Sequence, residues 1–178
     1  GIGGEKRISD KEATIEMMEE TAERYADECL KFKTEMGFDG VWIHMAYRFS
    51  FFARCLSPLT NKRTDKYGGS LENRFRYPLL VCEKIKQKCG KRFIVEISVT
   101  GSEECEGGTT LDDSVKFAKA AEGLVDIMMI KAPQIDIAHP TQFHEETPWL
   151  YMSEYIKRSA PDVNVCISTR GGMFYPET

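Results

Sequence analysis

The chain has 178 residues, 24 Lys and Arg against 28 Asp and Glu, a formal net charge of −4 and 42% hydrophobic residues. That is enough chain for one domain with a real core, and nothing basic and aromatic is interleaved in the manner of a nucleic-acid surface. No apolar run approaches the roughly 18 residues that span a bilayer, and the start, GIGGEKRISD, lacks the apolar stretch of a secretory signal.

A helix comes first. Between residues 9 and 36, apolar Ile15, Met18, Ala22, Tyr25, Cys29, Phe32 and Met36 recur at three- and four-residue steps, which marks one helical face. Ser9 and Glu12 form a capping box at its start, and Gly37 is placed to end it. The run GVWIHMA then reads as a buried strand over 41–46. After it comes LSPLTNKRTDKYGGSLENR, residues 56–74, polar and rich in turn formers. Loops longer than about 12–15 residues are usually functional or disordered. Leu56, Leu59, Tyr67 and Leu71 punctuate this one and would pin it down, which favours function.

A helix over 70–89 follows, closed by Gly90, with Pro78 expected to bend it or mark a restart. A second strand is expected at 93–99. The Gly-rich run ECEGGTTLDD leads into a helix capped by Thr110 with Asp113 and ending near Gly123. The third strand is expected at 126–131, then a loop holding His139 and His144, then a helix starting at Thr147-Pro148. The fourth strand is expected at 163–168. The six cysteines form no C-x-x-C pair and no zinc or cluster spacing. Cys29 and Cys82 on helix faces and Cys166 in an apolar strand read as small hydrophobes, in keeping with a reducing cytoplasm.

Continuously apolar strands alternating with helices imply an α/β fold with a parallel sheet covered by helices. A doubly wound sheet and a (β/α)₈ TIM barrel both fit. No strand is followed by G-x-G-x-x-G or a P-loop, and the long loop follows a strand's C-terminal end, where barrel enzymes keep their active sites.

The segment from GFDGV through the SPLTN, RTD, YGGS and LENR elements resembles the Old Yellow Enzyme family of FMN-dependent oxidoreductases. The likeness is greatest to the branch that includes 2,4-dienoyl-CoA reductase and trimethylamine dehydrogenase. The resemblance implies a partial TIM barrel, with residues 1–178 covering its strands four to seven. The first three strands and the eighth would lie outside, and Tyr175 to Thr178 would begin the next helix. FMN and NAD(P)H are the implied cofactors; an iron–sulphur cluster and FAD belong to parts not present here. A small-molecule substrate and a homo-oligomer joined through open sheet edges are expected, with no nucleic acid, membrane or metal.

By the same resemblance, His44 at the first strand's end is the donor to a substrate carbonyl or carboxylate above the flavin. A lone strand-end histidine can also be simply a satisfied structural group. Tyr47 stands where relatives carry a second His or Asn, and it either donates a hydrogen bond or proton or packs as an aromatic. Phe49 occupies the place of the family's proton-donating tyrosine, and RFSFFARC is about one residue longer than the common pattern. Glu96 stands where the family places an arginine against the flavin. Either Lys131 supplies that cation, or the flavin is tuned differently, or Glu96 joins an ion pair inside the barrel.

Arg170, Gly171 and Gly172 would receive the FMN phosphate, an ordinary turn being the alternative. Arg63, Asp65, Tyr67 and Arg74 are expected to brace the long loop, and His139 and His144 to face solvent or substrate rather than metal. Two other readings remain. Aromatic-rich RFSFF suits amine dehydrogenation of a cationic substrate, and a fragment associating through its sheet edges need not be catalytic.

Overall fold

Apolar β-branched runs build the centre of the structure: β1 (Gly40–His44), β2 (Ile94–Thr100), β3 (Ile127–Lys131) and β4 (Cys166–Thr169). The structure is a computed structural model that describes residues 12–47, 50–131 and 149–169. The four strands pair in the order β1-β2-β3-β4, all parallel, as expected of consecutive strand–helix units of a barrel. Side chains alternate across a strand. One face therefore carries Ile43, Val95, Ile97, Val99, Met128 and Ile130, each at most 6% exposed. Burying each such side chain contributes about 1.5–3 kcal/mol. The opposite face carries Trp42, His44, Glu96, Ser98, Met129 and Lys131.

Among the described residues, α1 (Ile15–Met36), α3 (Leu71–Cys89), α4 (Leu111–Ala120) and α5 (Leu150–Ser159) cover the apolar face, and α2 (Phe51–Leu56) packs on α3. Helix α1 starts later than its periodicity suggested. Thr14, not Ser9, is the N-cap, its hydroxyl accepting the Met17 N–H at 3.2 Å, so Glu12 falls outside the helix; Ser9 lies outside the described residues. Gly37 closes α1 in the left-handed region at φ 73°, which glycine adopts without strain. The small residues Ala22, Ala26 and Cys29, with Met18, form the buried stripe of α1, and α3 is its principal partner.

Helix α3 runs unbroken through Pro78, so no restart occurs there. The proline ring is buried in the helix face that meets the core, and that packing outweighs the one backbone hydrogen bond it removes. Ser70 caps α3, and Thr110 with Asp113 makes the expected capping box on α4. Helix α2 was not foreseen. It is held by aromatic packing, Phe52 stacking on Tyr77 at 5.7 Å and Tyr25 lying 5.6 Å from Phe52.

Lys86 staples the N-terminal end of the sheet. Its ammonium donates to the Phe93 carbonyl (2.8 Å), the Lys91 carbonyl (3.1 Å) and Asp126 Oδ2 (2.7 Å). Asp126 Oδ2 also accepts the Val95 N–H at 2.7 Å. Cys29 and Cys82 are buried as expected, and burial pushes the Cys82 thiol up to about 12. Cys166 is exposed instead. It pairs in register with Ile127, and strand alternation turns it away from the helix layer.

Candidate active site

The run 56–74 folds through its own polar side chains. Asn61 Nδ2 donates to the carbonyls of Cys55 (2.6 Å) and Tyr67 (2.8 Å), while its Oδ1 accepts the Arg63 N–H at 3.1 Å. Arg63 donates from Nε to Asp65 Oδ1 at 3.1 Å and from Nη1 to the Ala13 carbonyl at 2.6 Å, tying the loop to the start of α1. The Arg63 hydrogen bond holds the Asp65 carboxyl below its usual range. Arg74 donates to the carbonyls of Leu56 (2.9 Å) and Gly69 (2.8 Å), and the Tyr67 hydroxyl to Glu19 at 3.0 Å. Gly68 is required by space: a Cβ there would sit 2.4 Å from the Arg63 carbonyl oxygen. Arg63, Asp65, Tyr67 and Arg74 therefore brace the loop, as expected.

That brace secures the chain leaving β1. His44 is the last residue of β1, exposed on the face opposite the core. Its Nδ1 accepts the Ala46 N–H at 3.2 Å and lies 3.1 Å from Ser98 Oγ. A backbone N–H only donates, so Nδ1 carries the lone pair and the neutral ring's proton sits on Nε2. The imidazole stacks on Trp42, ring centroids 5.5 Å apart at 25°, and meets Tyr47 edge-on at 5.3 Å. Tyr47 holds this place with φ 65°, in the left-handed region. Lys131, at the end of β3, is 2% exposed, and its Nζ lies 5.7 Å from the Trp42 ring centroid. His44 and Lys131 thus meet one indole near the C-terminal ends of the strands, and Tyr47 packs on the His44 imidazole.

Beside this cluster, between the connections that follow β1 and β2, opens a cavity of about 570 Å³. Met45, Leu59, Phe75, Val99 and Phe117 supply apolar wall, and Tyr47 lines it too. Glu103, Glu104 and Asp113 add carboxylates. Glu103 accepts from Ser57 Oγ (2.8 Å) and the Thr109 N–H (2.8 Å), Asp113 from the Thr110 N–H (3.1 Å), and Glu104 from the Tyr151 hydroxyl.

Trp42, Ser98 and this cavity were not anticipated. Period-two alternation would have put Trp42 on the face of His44, whereas Ser98 and the cavity depend on pairing between distant segments. Glu96 lies in register with Trp42 and Ile127, on the same face as Lys131. Phe49, His139, His144, Arg170, Gly171 and Gly172 lie outside the described residues. Among the described residues, no cluster of His, Cys, Asp and Glu is arranged to hold a metal ion.

Comparison with known proteins adds three findings. The sequence profile of the NADH:flavin oxidoreductase / NADH oxidase family matches residues 2–169. An NADH oxidase of Thermoanaerobacter brockii is 33% identical over 173 residues, which cover 94% of this chain and 26% of that protein. The chain thus spans about a quarter of that relative. Among solved structures, a 2-naphthoyl-CoA reductase in complex with 2-naphthoyl-CoA superimposes with a TM-score of 0.82 at 28% identity, covering 94% of this chain and 25% of that one. Histamine dehydrogenase from Rhizobium sp. 4-9 does so with a TM-score of 0.81 at 25% identity, covering 94% and 24%.

Proposed function

The chain belongs to the NADH:flavin oxidoreductase / NADH oxidase family, and from that premise we propose that it forms part of an FMN-dependent NAD(P)H oxidoreductase that reduces α,β-unsaturated carbonyl compounds. The observation that carries this reading is the orientation of His44. Its Nδ1 is engaged by the Ala46 N–H, so the donor it presents at the strand end is Nε2–H. A donor fixed before reaction and aimed at a carbonyl oxygen favours the negative charge that develops there as hydride arrives at the β-carbon.

The face fits a flavin. A buried ammonium, Lys131, stands on it at 2% exposure and would favour the negative charge that a flavin's pyrimidine edge gathers on reduction. FMN bound there supplies the hydride chemistry, with NAD(P)H as reductant. The chain's own residues supply the rest. Lys131 holds the cofactor's electron-rich edge, Arg170, Gly171 and Gly172 receive its phosphate, and His44 anchors the acceptor oxygen. Tyr47, packed against His44, donates a hydrogen bond or a proton to the same substrate.

The likeness to histamine dehydrogenase supports a second reading, oxidation of an amine on the same scaffold. Assay of the complete protein separates the two. Cyclohex-2-enone should sustain NAD(P)H consumption, and trimethylamine should leave the oxidised flavin unreduced; the reverse pattern would establish the amine reading. We also infer a homo-oligomer in the cytoplasm. The free cysteines support a reducing compartment, and no helix among the described residues is long and apolar enough to cross a membrane.

A further inference from the structure

The cavity beside Tyr47 is large, mostly apolar and acidic, and the reaction assigned to His44 leaves it without a task. We propose that it binds the distal part of the substrate and selects an apolar tail that is neutral or ends in an ammonium group over one ending in a carboxylate or phosphate. This rests on the reading of His44 as the carbonyl anchor.

Position is the first support. Tyr47 touches the His44 imidazole at 5.3 Å between ring centroids and also lines the cavity. Tyr47 therefore borders both the His44 imidazole and the cavity, whose Phe75, Val99 and Phe117 walls lie on the helix-covered side of the sheet. Size and surface are the second. At about 570 Å³ the cavity falls within the roughly 300–1,000 Å³ of small-molecule sites. Against walls such as Phe75, Val99 and Phe117, each buried methylene of a ligand is worth roughly fourfold in affinity.

Charge is the third support. Glu103, Glu104 and Asp113 accept hydrogen bonds from hydroxyl and backbone N–H groups, all of them neutral donors. None of the described residues lining the cavity is Lys, Arg or His. An anionic tail would meet the half-buried carboxylates of Glu103 and Asp113 and the exposed one of Glu104, whereas an ammonium is drawn in.

The test uses the complete protein and the conjugated ketone 4-phenylbut-3-en-2-one, plain or carrying an aminomethyl or a carboxylate group at the para position. Calorimetric titration of the oxidised protein should show the plain and aminomethyl ketones binding at least about tenfold tighter than the carboxylate. Ala53→Trp, which places an indole in the cavity, should erase that order. Glu104→Gln, at an exposed side chain, should narrow the gap between ammonium and carboxylate at least about threefold, and it decides the matter if the bulkier variant does not fold. Equal affinities for the three ketones, or an order that Glu104→Gln leaves untouched, overturn the pocket. Turnover of but-3-en-2-one, which has no ring, tests the oxidoreductase reading separately. A protein that binds the three ketones in the expected order but reduces none keeps the pocket and loses the reaction.

Discussion

Trp42 and His44 stack nearly parallel, ring centroids 5.5 Å apart with 25° between the planes. Strand geometry brings them together, since residues two apart point to the same face. Tyr47 closes on the imidazole from another side, and its backbone adopts φ 65° to do so. That conformation costs a residue with a Cβ about 1–2 kcal/mol, so the surrounding packing must hold it. The imidazole is thus fixed by two aromatic rings and by the Ala46 N–H on Nδ1.

Replacing His44 by Ala in the complete protein should lower turnover of a conjugated ketone by about 10²–10³, the usual effect of losing one oriented donor to a developing oxyanion. FMN should stay bound, because Lys131 and the residues proposed to receive its phosphate, Arg170, Gly171 and Gly172, are untouched. Turnover at saturating substrate and the flavin absorbance spectrum check both halves. Unchanged turnover would remove His44 from the reaction.

Tyr47→Phe should slow reoxidation of the flavin by substrate more than reduction of the flavin by NAD(P)H. In the proposed reaction, only the first of these half-reactions uses a proton or hydrogen bond from the hydroxyl. Stopped-flow measurement of each half-reaction decides, and equal effects would mean that Tyr47 serves only as packing against His44.

The Arg63–Asp65 pair makes stability depend on acid. The Asp65 carboxyl is held below its usual range chiefly by its hydrogen bond from Arg63. Its contribution is therefore present above the unfolded carboxyl value of about pH 4 and lost as pH falls through the lower folded value. Asp65→Asn should cost about 1–2 kcal/mol at neutral pH, and the deficit should shrink below about pH 4. Urea unfolding at pH 7 and pH 3 measures it; a deficit independent of pH would assign the loss to packing.

Lys86→Met should destabilise the chain by about 2–3 kcal/mol, since it strips the donor from two carbonyls and from Asp126. Lys86 is 8% exposed and lies at the sheet end opposite His44, so the variant should leave ketone affinity in the complete protein unaltered. Denaturant midpoints alongside binding titrations test the separation. A change in affinity would show that the two ends of the sheet are coupled.

The 178-residue chain alone should associate and hold FMN weakly. Among the described residues, β1 and β4 each pair with a single neighbour, and open strand edges invite further pairing. Trp42 and Ile94 are 49% and 44% exposed on the uncovered face. Light scattering with a flavin absorbance scan checks this, and a clean monomer carrying stoichiometric flavin would contradict it.

Much of the molecule was legible in the chain because local rules decide it. Apolar strands alternating with helices demand a parallel sheet covered by helices. Thr110 with Asp113 and the glycine at 37 mark helix ends wherever they occur. The polar run 56–74 carries many of its hydrogen-bonding partners within itself, so its role as a braced loop could be read directly. His44 stood out because strand end and signature loop adjoin.

Other features rest on contacts between distant segments. Helix α2 forms because Phe52 finds Tyr77, 25 residues away in sequence. The burial of Pro78 lets α3 continue. Ser98 Oγ on the neighbouring strand comes within 3.1 Å of His44 Nδ1, and Cys166 is exposed through the register of β4. By itself the sequence determined the four strand segments and the helices α1, α3, α4 and α5, because propensity, capping and hydrophobic period act over a few neighbours. Only the tertiary structure decided how His44 is oriented and what lies beside it, because cross-strand register and cavity shape arise when segments far apart in the chain pack together.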